Sequence, residues 1–147
     1  MLYVITGPPA AGKSSWIEAR AKPTDIVIDL DRITRALTGP DAPQWNHSDI
    51  ASKVALRARY AAIDEALKHL DATDVYLIHT MPSAKWLARY RRHGAEIIAV
   101  DPGKDIVMQR IADMRSPALQ AVATRWYAQR ARQRDARRVT RQASRAW

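Results

Sequence analysis

The segment Gly7-Pro8-Pro9-Ala10-Ala11-Gly12-Lys13-Ser14 satisfies G-x-x-x-x-G-K-[ST] at every position. The residue types suit one task. Glycines at the two ends let the backbone curl until successive N–H groups face phosphate oxygens, and a helix opening behind the loop adds a favourable dipole. Lys13 reaches the β and γ phosphates of a nucleotide, and the Ser14 hydroxyl is a ligand for Mg²⁺. At ordinary residue frequencies a chance match in a chain of this length has odds of about 1 in 200. The expectation is therefore a site for ATP and Mg²⁺ built from Gly7, Pro8, Pro9, Ala10, Ala11, Gly12, Lys13, Ser14 and Ser15.

Binding phosphate does not by itself define a reaction, so the other reactive side chains must decide. Ile28-Asp29-Leu30-Asp31-Arg32 ends a short apolar run with two carboxylates. Such carboxylates fall at the carboxyl edge of a parallel sheet, where ligands of open α/β folds bind. If the strand extends that far, Asp29 and Asp31 point the same way. One can accept the proton of an attacking hydroxyl, a role that falls first to Asp31, and Asp29 can help hold Mg²⁺. A plain structural role, Asp31 capping the next helix, is the alternative. Further on, Arg110, Arg115 and Arg125 are candidates to neutralise charge on a phosphoryl group in flight. Surface arginines on an amphipathic helix would look the same.

Four nearly continuous apolar runs alternate with longer helical stretches: Leu2–Ile5, Asp25–Ile28, Asp74–Ile78 and Glu96–Val100. That alternation predicts a parallel α/β sheet whose strands are buried on both faces. Helices are predicted at about Lys13–Ala21, Arg32–Leu37, Asp49–Leu70, Ala84–His93 and Lys104–Met114, with Ser48 and Ser83 as caps. Thr38-Gly39-Pro40-Asp41-Ala42-Pro43 reads as an exposed loop. A last helix opens at Ser116-Pro117, with Leu119, Val122 and Trp126 on its docking face. The loop thus lies between strand and helix, the setting its motif requires.

The chain of 147 residues is sized for a single domain, and its 47% hydrophobic and 27% charged composition is that of a soluble globular one. It contains no Cys, which excludes disulfides and thiolate chemistry. No apolar run reaches membrane-span length and no signal-peptide pattern opens the chain, so a cytoplasmic location with no membrane partner is expected. The net charge of +9 is concentrated: 125–147 hold eight arginines and one acid, Asp135. A segment this basic attracts nucleic acid or other polyanions, unless it is only a solvated helix face.

Together the phosphate-binding loop, the Asp29-x-Asp31-Arg32 pattern, Val100-Asp101-Pro102, the arginines that follow and Arg125-Trp126-Tyr127-Ala128-Gln129-Arg130 resemble the kinase domain of bacteriophage polynucleotide 5′-hydroxyl kinases. More widely they resemble the small P-loop kinases that include nucleoside monophosphate kinases. The resemblance covers nearly the whole chain, although only the loop is sharply specific. It implies a three-layer α/β/α P-loop NTPase fold, one kinase domain over 1–147 with about four parallel strands in the order 2-3-1-4. A long basic C-terminal helix over 117–147 would pack on this domain or extend from it. It also implies that Lys13 and Ser14 bind ATP·Mg²⁺, that Asp31 is the general base, and that Arg110 and Arg115 clamp the phosphates.

Two positions depart from the family pattern. His79 stands before Thr80 where the family has an acid, and Thr34 replaces an arginine that Arg32 or Arg35 could supply. Both bear on the acceptor, so Asp31, Arg32, Arg35, His79 and Thr80 are the candidate acceptor-binding residues. His79 could equally be a satisfied structural histidine. Trp45 could stack on a base or simply pack. His47, His69 and His93 have no metal-ligand spacing. The expected activity is transfer of the ATP γ-phosphate to a hydroxyl of a nucleic-acid 5′ end or nucleotide-like acceptor. The alternatives are a nucleoside monophosphate or small-metabolite kinase, a nucleic-acid-stimulated ATPase, and a basic protein with a relic loop.

Overall fold

The structure, a computed structural model, describes every residue except Trp45, Arg115, Ala146 and Trp147, and gives the helical backbone but not the side chains of 138–145. The elements run β1 (Leu2–Thr6), α1 (Lys13–Glu18), β2 (Ile26–Ile28), α2 (Leu30–Leu37), α3 (Asp49–Ala66), β3 (Val75–Ile78), α4 (Ala84–Arg92), β4 (Glu96–Ala99), α5 (Lys104–Met114) and α6 (Pro117–Arg145). The four strands form one sheet in the order β2-β3-β1-β4, and every pairing is parallel. This is the predicted α/β sheet. The connection from β1 to β2 passes β3 and that from β3 to β4 passes β1, so the connections of this adjacent pair run in opposite directions, as they do where open α/β sheets bind ligands.

The chain falls into two compact units, Met1–Thr6 with Lys13–Val100, and Gly7–Gly12 with the chain from Asp101 onward. In the first, strand alternation sorts apolar side chains to the two faces of the sheet. Leu2, Val4, Ile28, Val75 and Leu77 pack with Ile63, Ala66 and Leu67 at the end of α3 and with Tyr90 of α4. Ile5 and Tyr76 pack with Ile17 of α1 on the other face. Helices thus cover both sides. In the second unit α5 and α6 pack together, with Val107, Ile111, Ala123 and Trp126 buried and Leu119 and Val122 half-buried.

The predicted caps at Ser48 and Ser83 accept hydrogen bonds from Ala51 N and Trp86 N. Ser116 Oγ likewise accepts from Leu119 N, ahead of Pro117 in the first turn of α6. Two predicted helices run long by a few residues, since α1 ends at Glu18 and α3 at Ala66, whereas α2 begins two residues earlier than predicted, at Leu30. One boundary matters for the chemistry. β2 stops at Ile28 and α2 begins at Leu30, so Asp29 and Asp31 do not lie on one extended strand. The reading that strand alternation aims both the same way is corrected. Asp29, and not Asp31, is the helix cap, with extended backbone at φ −130° and ψ 120°.

Candidate active site

The loop after β1 is turned by residues in the left-handed half of backbone space: Gly7 at φ 144°, Gly12 at φ 93°, and between them Ala10 at φ 60°. A side chain is strained at the two glycine positions, and Ala10 carries such strain as an ordinary L-residue. The Ala10 carbonyl is engaged, accepting a hydrogen bond from Arg110 Nη1 of α5 at 2.9 Å. One of the arginines expected to act on phosphate is therefore tied to the loop's own backbone. Arg125 is exposed on α6, and Arg115 lies outside the described residues, as does Trp45.

Lys13 opens α1 and is buried. Burial is the main influence on its amine, lowering its pKa from 10.5 to about 8, against the opposing pull of Asp29 and then Asp31. Ser14, exposed, donates from Oγ to Asp29 Oδ2 at 3.2 Å. The other oxygen of that buried carboxylate, Oδ1, accepts from Asp31 N at 3.1 Å, which is the capping bond of α2. Asp29 and Ser14 form a pair of oxygen donors of the kind a hard divalent cation takes.

Asp31 sits in the first turn of α2 with its side chain 63% exposed. Its Oδ1 lies 3.1 Å from His47 Nε2, whose side chain is only 10% exposed. Arg32 and Arg35 are exposed on α2, while Thr34 is buried and returns its hydroxyl to Leu30 O at 2.7 Å. A side chain so committed has no phosphate role to offer.

His79 follows β3 directly and is half-buried, with Thr80 beside it. Its Nδ1 lies 2.8 Å from Tyr90 Oη, and the edges of Trp86 and Tyr90 enclose the ring. Burial, reinforced by the positive charge of Arg59, lowers its pKa from 6.5 to about 4, so it is neutral near pH 7. Arg59 is the residue that sequence reasoning missed. It interrupts the buried stripe Ala55, Ile63 and Ala66 of α3. Its Nη2 donates to Ile78 O, the last carbonyl of β3, at 2.9 Å, and its buried Nε has no partner.

No family model matches the chain, and no curated protein matches it in sequence. Among solved structures it is similar in fold to a chain of the "Structure of Pnkp1/Rnl/Hen1 complex", with a TM-score of 0.52 at 17% identity over 74% of this chain. It spans 38% of that chain's length. The all-parallel 2-3-1-4 sheet with its flanking helices is an α/β fold consistent with that of P-loop NTPases, and the likeness to the solved chain is one of fold. Among the described residues no helix is long and apolar enough to cross a membrane.

Proposed function

We propose that this protein is an ATP- and Mg²⁺-dependent phosphotransferase whose acceptor is a hydroxyl on a nucleic-acid 5′ end or a nucleotide-like molecule. The observation that carries the proposal is the bond from Ser14 to Asp29, which joins the serine of the phosphate-binding motif to a carboxylate two residues before Asp31. In this reading residues Gly7 to Ser15 hold the ATP phosphates, and Lys13 neutralises charge on them. Ser14 and Asp29 hold Mg²⁺, which when bound screens the charge of the phosphate oxygens. Asp31 takes the proton of the acceptor hydroxyl as the new O–P bond forms and the bridge to the β-phosphate breaks, releasing ADP.

Arg110, freed from Ala10, and Arg115 supply further positive charge to the γ-phosphate. Arg32, Arg35, His79 and Thr80 face the acceptor in the same reading. A nucleic-acid end is favoured over a free nucleotide by the exposed Arg125, Arg132, Arg134 and Arg137 of α6. The solved chain of similar fold belongs to a Pnkp1/Rnl/Hen1 complex, which is compatible with a nucleic-acid partner.

The test is incubation with γ-³²P-ATP and Mg²⁺ against 5′-hydroxyl oligonucleotides, nucleosides and nucleoside monophosphates, with Lys13→Ala alongside. Label on an oligonucleotide end, absent with Lys13→Ala, supports the proposal. Label on a small acceptor reassigns the substrate, free phosphate alone assigns an ATPase, and transfer undiminished in Lys13→Ala overturns the proposed site.

A further inference from the structure

The segment between α2 and α3 is mostly exposed, yet the side chain of His47 within it is nine-tenths covered. Two features on either side fix it in place. Asn46 lies at φ 65°, in the left-handed region that asparagine tolerates better than most residues, and so turns the chain just before His47. Ser48, just after it, is locked as the cap of α3 through its 3.2 Å bond from Ala51 N. The imidazole therefore has little freedom to drift from Asp31.

Asp31 in turn has little else to hold it. Its side chain is mostly solvent-exposed, and among the described residues His47 is its one hydrogen-bond partner, through Oδ1. An exposed carboxylate free to rotate spends most of its time pointing elsewhere, and a proton acceptor must stay within hydrogen-bond reach of the group it serves. A donor fixed on one oxygen removes that freedom and leaves the second for an acceptor hydroxyl.

We propose that His47 is the positioning residue of the reaction, donating from Nε2 to Asp31 Oδ1 so that Oδ2 faces the acceptor hydroxyl. The inference rests on the phosphotransferase reading and on Asp31 as its base. The proton released by the acceptor passes to Oδ2 of Asp31, the acceptor oxygen bonds to the γ-phosphorus, and ADP leaves with the bridging electrons. His47 gains and loses no proton in the step. Lys13 of α1 interacts electrostatically with Asp29 and with Asp31.

The experiment compares His47→Ala, His47→Gln, Asn46→Gly and Asn46→Val in steady-state phosphate transfer, each also in an Asp31→Asn background. With His47→Ala, kcat is expected to fall about 10-fold or more while KM for ATP stays within 2-fold, as loss of orientation alone predicts. Gln, whose amide can still donate, restores part of the loss. Asn46→Gly keeps the turn and the rate, whereas Asn46→Val, unsuited to that φ, lowers kcat as His47→Ala does. In the Asp31→Asn background none of the four changes the residual rate further.

Full kcat in His47→Ala, or equal losses with and without Asp31, overturns the proposal. So does a ¹⁵N spectrum of the wild-type protein that shows Nε2 of His47 without its proton at neutral pH. A wild-type protein that binds ATP but labels no acceptor rejects the phosphotransferase reading instead. The nitrogen spectrum reports on the hydrogen bond in either case.

Discussion

Ser14 and Asp31 bind opposite oxygens of one carboxylate: the hydroxyl of Ser14 donates to Asp29 Oδ2 at 3.2 Å, and the backbone N–H of Asp31 donates to Oδ1 at 3.1 Å. Asp29 thereby couples the start of α1 to the start of α2. A group that serves a loop hydroxyl and a helix terminus at once can be dissected by substitution, because asparagine preserves one duty and not the other.

Asn is as good a helix cap as Asp, whereas alanine at a cap costs about 1 kcal/mol. Asp29→Asn is expected to leave the melting temperature nearly unchanged and to raise the Mg²⁺ concentration needed for half-maximal activity about 10-fold or more. Asp29→Ala should show that defect together with lower stability. Equal Mg²⁺ dependence in wild type and Asp29→Asn would rule out Asp29 as the proposed Mg²⁺ ligand.

Lys13 predicts a proton-linked nucleotide affinity. Its amine is held at about 8, chiefly by burial, and a triphosphate beside it favours the charged form. ATP binding should then take up a proton above pH 8, and affinity should weaken as pH rises through that value. Calorimetry at pH 8.5 in buffers of different ionisation enthalpy reads the uptake directly, and Lys13→Arg, always charged, should abolish it. For the free protein the sign is the usual one for a lowered base. The unfolded chain binds the proton more readily, so this group adds stability as pH rises from about 8 toward 10.5.

His79 and Arg59 give a second pH signature. With the His79 pKa lowered from 6.5 to about 4, the unfolded chain holds more protons between those values, so stability is lost as pH falls through that window. His79→Gln should flatten the dependence. Because Arg59 is the second cause after burial, Arg59→Met should raise the His79 titration part of the way toward 6.5, as followed by NMR. A titration that stays near 4 in this variant would leave burial as the sole cause.

Arg110 makes its bond to Ala10 O from an exposed position, so Arg110→Ala should change stability by less than about 0.5 kcal/mol. Its effect on turnover should be far larger, on the order of 10²-fold or more if the guanidinium moves onto the transferring phosphoryl group. Turnover within 2-fold of wild type would confine Arg110 to holding the loop.

The parts of this molecule that are written locally were readable from the chain. The apolar run before Gly7, the glycine and lysine spacing after it, and the serines at 48, 83 and 116 each specify their structure within a few residues. The relation of Asp29 to Asp31 was not, because it depends on where a three-residue edge strand stops, and the Asp29 cap opens α2 immediately after Ile28. The pairing of His47 with Asp31 spans 16 residues and a loop rich in Gly and Pro, with no periodicity to signal it. Arg59 carried a weak signal. It stands at the i+4 step between Ala55 and Ile63, where an apolar residue is expected, and a charge at such a step marks a buried polar contact.

Pro8 and Pro9 occupy the first half of the loop from Gly7 to Ser14 that is proposed to bind phosphate, and proline has no backbone N–H. Any amide contacts from this loop to a bound phosphate must come from Gly7 or from Ala10 onward. Adjacent prolines also restrict the unfolded chain, so part of the entropy of ordering the loop is already spent before a nucleotide arrives. Solution spectra of the free and nucleotide-bound protein should therefore differ little in the shape of this loop. The amide signals of Ala10, Ala11, Gly12, Lys13 and Ser14 should instead move through direct contact with the phosphates.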